Sequence, residues 1–260
     1  MKIHWYTLTW NEEDIAPFIL QYWQKLIDDG VDLYVYIWDN YSTDSTIDIL
    51  KQKPWIEVRL FQTDGMNDVI HATIKNNCWK EAKGKADWVV LADFDEILWS
   101  NDFVSELQYM KDNGYNMLGT KWYAFCGDSF PTFSEEKYLH QLVKRGYKQY
   151  INHMPQYSDL GKFMLFNPNT IDSLQFSVGN HILYNIKPYL KLYKSDKIIA
   201  FHVNKGLGED YFVNRRKLMA KRLSETNKKY GMSIEYLDAD EKMRNEYKNN
   251  VNNSIDISNL

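Results

Sequence analysis

Residues 88–96 read Trp-Val-Val-Leu-Ala-Asp-Phe-Asp-Glu, and this stretch decides the fold. A short continuous apolar run of this kind is typical of a strand buried on both faces of a parallel sheet. Three carboxylates follow directly, and burying them is costly unless a cation meets them. The simplest such partner is a divalent metal that carries a phosphorylated ligand. The stretch therefore predicts metal-assisted chemistry on a phosphate compound at the end of a buried strand.

The composition is that of an ordinary globular protein. The chain has 260 residues, of which 44% are hydrophobic and 25% charged, so it can bury a sizeable core. A net charge of −4 argues against a dedicated nucleic-acid binder. Cys78 and Cys126 cannot form a disulfide framework and have no metal-ligand spacing, which favours a reducing compartment. We expect a cytoplasmic protein, since no membrane span or signal peptide is recognisable, with peripheral contact at the inner membrane face left open.

Strands and helices alternate over residues 1–100. The strands are predicted at residues 2–9, 32–38, 56–61 and 88–92. This alternation implies parallel crossovers and a sheet covered by helices on both faces. Thr9, Asp39 and Asp93 each stand at the end of a strand, and ligands of such sheets bind beyond the carboxyl ends of the strands. We therefore expect these three polar groups to meet in one crevice.

The pattern loosens from about residue 115. Short apolar segments at residues 117–125, 163–166 and 197–203 alternate with loops, and a basic helix is predicted from about Glu209 to Ser224. The chain beyond Tyr230 is polar, and its last ten residues are expected to fray.

Three segments, in this order, resemble the GT-A glycosyltransferases, most closely their family-2-like members. They are Thr-Leu-Thr-Trp-Asn-Glu-Glu at residues 7–13, Asp-Asn-Tyr-Ser-Thr-Asp at residues 39–44 and Leu-Ala-Asp-Phe-Asp-Glu at residues 91–96. Family members carry an N-E, a D-D/N-x-S-x-D and a D-x-D segment at these places. The last segment is similar to a subgroup that continues with a Trp-aromatic-Phe-Gly stretch, here residues 122–127, and ends in an aromatic-His motif, here Phe201-His202.

The resemblance covers about residues 1–225 and implies an α/β fold with a Rossmann-like, mostly parallel sheet and helices on both faces. Residues 1–100 would form the nucleotide-sugar-binding half of a single GT-A domain. Residues 101–225 would form an α+β half that binds the acceptor and completes the metal site. Residues 226–260 would form a polar helical tail.

The resemblance also implies a site for Mn²⁺ or Mg²⁺. Alternate residues of an extended segment share a face, so Asp93 and Asp95 can point at one site. Asp95 would bind the metal that bridges the diphosphate, with Asp93 on the ribose or the metal. His202 would complete the site, and a neutral imidazole suits Mn²⁺ better than Mg²⁺. The alternatives are an acidic turn before a helix near Asn101 and a purely structural histidine.

The nucleotide would meet the remaining motif residues. Asp39 would accept a hydrogen bond from the base, commonly uracil, while Thr9 and Asn11 would line the base and ribose pocket. Helix capping is the alternative role for Asp39 and Asn11. Lys162 and Lys205 would meet the diphosphate, because a cation stabilises the charge that builds as the diphosphate departs. Arg215 and Arg216 are further candidates for the diphosphate, with a solvated basic helix face as the alternative, and His181 is a rival to His202.

The catalytic base is the least defined part. Inverting transfer needs a carboxylate that deprotonates the acceptor hydroxyl. Asp128, just after the aromatic-Phe-Gly segment, is the first choice, and Asp159 is the second. The later Glu-Asp base motif of the family has no clear counterpart, since Glu209-Asp210 matches it only in letters, and this leaves inverting and retaining transfer open.

The sequence therefore predicts a metal-dependent hexosyltransferase. It would move a sugar, with a UDP-linked donor favoured, to a hydroxyl of a glycan or lipid-linked saccharide during surface polysaccharide assembly. One alternative is a degenerate GT-A module that binds a nucleotide or glycan without catalysis. The other is a haloacid-dehalogenase-like phosphatase in which Asp93 is the nucleophile. Sugar nucleotidyltransferases open with a glycine-rich loop after the first strand, whereas residues 7–14 contain no glycine.

Overall fold

The computed structural model describes residues 1–150, 152–203 and 206–260. Its strands are β1 (Lys2–Thr9), β2 (Asp32–Asp39), β3 (Ile56–Leu60), β4 (Trp88–Leu91), β5 (Glu96–Trp99), β6 (Met117–Phe125), β7 (Arg145–Lys148), β8 (Leu165–Phe166), β9 (Ser173–Phe176), β10 (Leu183–Lys187), β11 (Leu192–His202) and β12 (Ile255–Asp256). Its α-helices are α1 (Ala16–Asp28), α2 (Thr46–Leu50), α3 (Asp68–Cys78), α4 (Phe103–Asp112), α5 (Leu139–Val143), α6 (Glu209–Lys221), α7 (Glu225–Tyr230) and α8 (Asp240–Asn252). Short 3₁₀ helices span Trp79–Ala82, Pro155–Tyr157, Pro168–Thr170, Val178–Asn180 and Ile234–Leu237.

The predicted α/β fold is confirmed. Strands β3, β2, β1 and β4 lie side by side and parallel, with Thr9 paired to Asp39 across β1 and β2. Every residue of β4 is buried, and successive residues of this strand belong alternately to two hydrophobic clusters on opposite faces of the sheet. Val90 packs in the cluster that contains much of α1, whereas Val89 packs on the opposite face with Trp79. Helices therefore cover both faces of the parallel strands, and the carboxyl ends of β1, β2 and β4 share one edge.

The acidic segment leads into a strand rather than into a loop before a helix. Residues 96–99 form β5, which runs antiparallel to β11 with His202 opposite Glu96. β11 also pairs in parallel with β6. Because Asp95 directly precedes Glu96, this pairing brings His202 beside the acidic turn from a distant part of the chain.

The second half of the sheet is mixed. The short strand β8 pairs antiparallel to both β4 and β6, with Leu165 opposite Val90. The Leu91 amide also donates to the Met164 carbonyl at 2.8 Å. These bonds place the segment that follows Lys162 beside β4, close to the carboxyl end of that strand.

The expectation that the last ten residues fray is wrong. β12 pairs antiparallel to β7, and the side chain of Ile257 is fully buried in the main core. The Trp99 Nε1–H donates to the Leu260 carbonyl at 2.8 Å. Burial of an aliphatic side chain and satisfied backbone groups hold this end of the chain on the sheet. None of the described helices is long and apolar enough to cross a membrane.

Candidate active site

A pocket of about 420 Å³ opens at the carboxyl edge of the parallel strands. Its walls include residues that follow four strands, namely Thr9, Trp10, Asn40, Phe61, Asp93 and Asp95. One face of α3 contributes Asp68, His71, Ala72 and Lys75, which recur at helical spacing. The C-terminal part contributes Arg216, Met219, Arg222, Ser233, Glu235 and Tyr236. Lys162, His181 and His202 complete the side nearest the acidic turn.

Two lysines hold the first carboxylate of the acidic turn. The ammonium of Lys75 hydrogen-bonds to Asp93 Oδ1, and that of Lys162 lies 3.0 Å from Oδ2. Lys162 also hydrogen-bonds to the buried Glu96, whose other oxygen accepts from the Asp93 amide at 2.8 Å. Burial would raise the pKa of the Asp93 carboxyl, but the two ammonium groups hold it well below its usual value. Asp93 is therefore an anion locked between cations at the floor of the pocket.

Glu96 behaves differently from Asp93. Burial, together with the negative charge of Asp93, raises the pKa of the Glu96 carboxyl to about 7. Burial opposes the charge on Lys162, but Glu96 and Asp93 outweigh it and raise the pKa of the ammonium. Lys162 thus keeps its proton, and Glu96 is the member of this network that changes charge near neutral pH.

Asp95 and His202 form the metal-binding candidate. Asp95 Oδ2 lies 3.6 Å from His202 Nε2, and the Asp95 carbonyl accepts from the Val203 amide at 2.9 Å. His202 Nδ1 lies 2.9 Å from Gln149 Oε1. An amide oxygen can only accept, so Nδ1 donates to Gln149, and in the neutral ring the lone pair of Nε2 then faces Asp95. A second ring nitrogen fixed in this way is typical of metal-binding histidines.

The predicted three-residue metal set is only partly assembled. The described residues contain no group of three or more histidine, cysteine or acidic side chains placed to hold a metal ion. Asp95 and His202 are paired, whereas both oxygens of Asp93 accept from lysines. A metal role for Asp93 stays a prediction.

The other end of the pocket lies beyond β1, β2 and β3. Thr9 Oγ1 and His71 Nε2 belong to its wall and are buried without a hydrogen-bond partner in the described ranges. Burial lowers the pKa of His71, so its imidazole is neutral at pH 7. The Arg222 guanidinium stacks on the Trp10 ring, with its central carbon 3.7 Å from the ring centre. Planar groups and polar atoms without partners are thus concentrated here.

Two predicted nucleotide residues lie behind the wall rather than in it. Asp39 is buried and accepts from the Ser42 amide at 3.0 Å and from the Ser42 hydroxyl. Asn11 exchanges hydrogen bonds with Thr43, at 2.7 Å and 3.1 Å. Neither is among the described residues that line the pocket. The N-cap alternative for Asn11 is wrong, because α1 begins at Ala16.

The two predicted base candidates also lie away from the pocket lining, as far as the structure describes it. Asp128 is 84% exposed and pairs with Arg145 at 3.3 Å, and Asp159 is 60% exposed and pairs with Lys194 at 3.3 Å. Their role as a base stays a prediction. Lys205 lies outside the described residues.

The remaining candidates divide between structural and pocket positions. Arg215 binds Glu12 at 2.6 Å and the carbonyls of Trp10 and Asn11, so it fixes the loop after β1. The other side chains pair as follows: Arg216 with Glu246, and Glu209 and Asp210 with Arg244. His181 lines the pocket and stacks on His153 with ring centres 4.8 Å apart.

The charged pocket residues that sequence reasoning missed include Lys75, Arg222 and Glu235. Lys75 could have been noticed as the pocket-side position of an otherwise weakly amphipathic helix, since it shares a face with Asp68 and His71. Arg222 was grouped with a basic helix, and Glu235 with a polar tail. Only the folded chain brings the last two to the pocket.

Comparison with solved structures finds alignments of low sequence identity and low TM-score. The crystal structure of S. aureus TarS aligns with 91% of this chain and 43% of that chain, at a TM-score of 0.45 and 13% identity. S. aureus TarS 1-349 in complex with UDP-GlcNAc aligns with 91% and 72% of the two chains, at 0.45 and 14% identity. The mannosyltransferase PcManGT from Pyrobaculum calidifontis in complex with GDP-Man and Mn²⁺ aligns with 48% and 35%, at 0.31 and 19% identity. The chain thus spans less than half the length of TarS. No family model matches the sequence, and no curated protein matches it.

Proposed function

We propose that this protein is a metal-dependent glycosyltransferase that takes its sugar from a nucleotide-sugar. One observation carries the proposal: Asp95 Oδ2 and His202 Nε2 lie 3.6 Å apart in the wall of a pocket at the carboxyl edge of a parallel sheet. Such an edge is where α/β sheets bind their ligands. The proposal places the donor on the residue 1–100 half and the acceptor on the residue 101–225 half.

The residues present suit a divalent metal that is shared with phosphates. Mg²⁺ is usually held by one or two protein carboxylates plus phosphate oxygens and water, and an imidazole ligand shifts the preference towards Mn²⁺. Asp95 and His202 supply that sparse set, and Gln149 keeps the imidazole oriented. When bound, the ion would stabilise the negative charge that develops on the departing diphosphate.

The lysines prepare the same end of the pocket. Lys75 and Lys162 fix Asp93 in one orientation and neutralise much of its charge. A dianionic diphosphate can then approach an acidic turn that would otherwise repel it. In this proposal Asp93 contacts the ribose or the metal, and Lys162 and Lys205 contribute positive charge to the diphosphate site.

The nucleoside would occupy the end beyond β1, β2 and β3. Thr9 and His71 offer buried polar atoms there, and such groups are expected to gain partners in the bound state. Asp39 and Asn11 are retained as predicted contacts of the base and ribose, with uracil, and therefore a UDP-sugar, favoured.

The acceptor hydroxyl needs a base, and the pocket offers one more carboxylate than the sequence suggested. Glu235 is exposed, and its carboxylate makes no hydrogen bond or ion pair within the described ranges. In contrast, Glu12 is paired with Arg215, and Asp68 accepts from Asn227 and Ser233. Asp128 and Asp159 are not among the described residues that line this pocket, and they remain the candidate bases that the sequence predicts. We propose inverting transfer to a glycan or lipid-linked saccharide of the cell surface, at or near the inner membrane face.

The phosphatase alternative gains no support from the geometry. Its nucleophile would be Asp93, whose two oxygens both accept from ammonium groups.

Turnover of donor sugars tests the proposal. We would measure nucleoside diphosphate release from a panel of UDP- and GDP-sugars with Mn²⁺, with Mg²⁺ and with chelator. Release from at least one donor should need the metal and should fall at least about 100-fold in Asp95→Asn and His202→Ala, as expected when a metal ligand is lost. Asp196→Asn is the matched control, because Asp196 is 86% exposed and pairs only at the surface with Lys121. A folded protein that releases no nucleoside diphosphate from any donor would contradict the proposal and favour a binding module without catalysis. Release of phosphate from simple phosphate esters would favour the phosphatase.

A further inference from the structure

Arg222 stands out from the arginines that precede it. Arg215 and Arg216 each hydrogen-bond to a carboxylate. The side chain of Arg222 lines the pocket and makes no hydrogen bond or ion pair to any residue the structure describes. Its guanidinium carbon lies 3.7 Å from the centre of the Trp10 ring. A partly buried cation therefore faces the pocket without an anion.

The stack on Trp10 determines what Arg222 can bind. A guanidinium that lies on an aromatic face keeps its N–H donors in its own plane, where they remain available at the edge. That edge matches the oxygens of a phosphate or carboxylate, often with two parallel hydrogen bonds. The arrangement therefore favours an anionic oxygen ligand in the plane of the guanidinium.

The surroundings make such an anion more favourable still. Burial, and then the nearby charge of Arg215, lower the pKa of Arg222 to about 10, so the group remains charged at neutral pH. Asp39 is the acidic group that opposes this effect, but its carboxylate accepts hydrogen bonds from Ser42 instead. Of these two neighbouring guanidinium groups, Arg215 is paired with Glu12, whereas Arg222 has no carboxylate partner among the described residues.

The backbone of Arg222 is held in place by the segment around Met66. Its carbonyl accepts from the Met66 amide, and the Ser224 amide donates to the Met66 carbonyl at 3.1 Å. A Cβ on Gly65 would lie 2.1 Å from the Arg222 carbonyl oxygen, so this approach requires glycine. Arg222 is therefore a preset part of the pocket rather than a mobile surface residue.

We propose that Arg222, held flat on Trp10 at the nucleoside end of the pocket, binds the phosphate of the donor nucleotide that is attached to the nucleoside. The inference rests on the proposed function, because it takes the pocket ligand to be a nucleotide. It adds a residue from the C-terminal part of the chain to recognition of the leaving group.

Binding of uridine, UMP and UDP, each with Mn²⁺, tests this role. NMR titrations would compare wild type with Arg222→Met, which removes the charge, and Arg222→Lys, which keeps the charge but loses the planar edge. We expect Arg222→Met to weaken UDP binding about 10- to 100-fold and to leave uridine binding unchanged, since a hydrogen bond to a charged group is lost. Arg222→Lys should fall between the two. Lys221→Met is the matched control, because Lys221 is exposed and does not line the pocket.

The outcomes distinguish failure of the Arg222 contact from failure of the proposed function. Unchanged UDP binding by Arg222→Met, or an equal loss for uridine and UDP, would overturn the phosphate contact while the proposed function stands. If wild type binds neither these compounds nor guanosine, GMP and GDP, the proposed function fails, and this inference fails with it. Should Arg222→Met not fold, as judged by its melting curve, UDP affinity of Arg222→Lys at the wild-type value would overturn the contact.

Discussion

Replacing Lys162 with methionine should make the stability of this protein depend on pH in a defined way. The Lys162 ammonium contacts both Asp93 and Glu96, and the Glu96 side chain is only 1% exposed. Without Lys162, two carboxylates face the single ammonium of Lys75. Removing one partner of a buried ion pair costs about 3–5 kcal/mol, because the other charge stays buried.

Glu96 sets the pH range of this effect. Burial and the charge of Asp93 raise the pKa of Glu96 from 4.5 to about 7 even with Lys162 present. Each pKa unit corresponds to about 1.4 kcal/mol, so ionising Glu96 costs about 3 kcal/mol more in the folded protein than in the unfolded chain. Between these two pKa values the folded state binds more protons than the unfolded state. The contribution of Glu96 to stability is therefore full below pH 4.5 and is lost as the pH rises through about 7.

We expect Lys162→Met to lower the free energy of unfolding by about 3–5 kcal/mol at about pH 8, where wild-type Glu96 is ionised. At about pH 5, where Glu96 is already protonated in the folded protein, the loss should be about 1–2 kcal/mol. Urea denaturation at the two pH values measures both. Lys194→Met is the control, because its pair with Asp159 is 51% and 60% exposed, and a change below about 1 kcal/mol is expected. An equal loss at both pH values for Lys162→Met would refute the coupling to Glu96.

Three further predictions concern the C-terminal part and the base. Ile257→Ala should lower the free energy of unfolding by about 2–4 kcal/mol in guanidinium denaturation, because this side chain is fully buried, and a change below about 1 kcal/mol would mean that the end of the chain is not docked. Gly65→Ala should lower the melting temperature and weaken UDP binding, since its Cβ would lie 2.1 Å from the Arg222 carbonyl oxygen; wild-type values for both would contradict this approach. Glu235→Gln should reduce transfer to an acceptor at least about 100-fold, as loss of a general base does, and Asp128→Asn by less than about 10-fold; the reverse order would restore Asp128 as the base.

Much of the first half could be predicted because local patterns determine it. The strand at residues 2–9 matches β1, and the prediction of residues 32–38 differs from β2 only at Asp39. Alternation of buried strands and amphipathic helices needs no knowledge of distant residues. The placement of Thr9 and Asp93 in one pocket followed from the rule that parallel strands share their carboxyl ends, whereas Asp39, predicted with them, is not among the described lining residues.

Long-range contacts explain what the sequence could not show. β5 is a strand because residues 96–99 pair with β11, a partner far along the chain. Without that pairing, Glu96 is simply the third acid of a turn, and its burial and raised pKa cannot be inferred. The two lysines on Asp93 come from α3 and from the segment before β8, which no local pattern brings together.

The C-terminal part also depends on long-range contacts that its composition does not reveal. Its polar composition suggests a solvated tail, yet Asn227 and Ser233 hydrogen-bond to Asp68 at 2.9 Å and 2.7 Å. These bonds hold Glu235 and Tyr236 in the pocket wall. Polar residues here serve interfaces between helices, and composition alone cannot separate that use from exposure to water.

The most direct test of the central claim is a thermal-shift screen of nucleotide-sugars with and without Mn²⁺, on wild type and Asp95→Asn. A ligand that binds the native state raises the melting temperature by mass action. We predict a shift with at least one UDP- or GDP-sugar that requires Mn²⁺ in wild type and is absent in Asp95→Asn. A wild-type protein that is folded but shows no shift with any nucleotide-sugar, or an equal shift in Asp95→Asn, would contradict a metal-dependent donor site at Asp95 and His202.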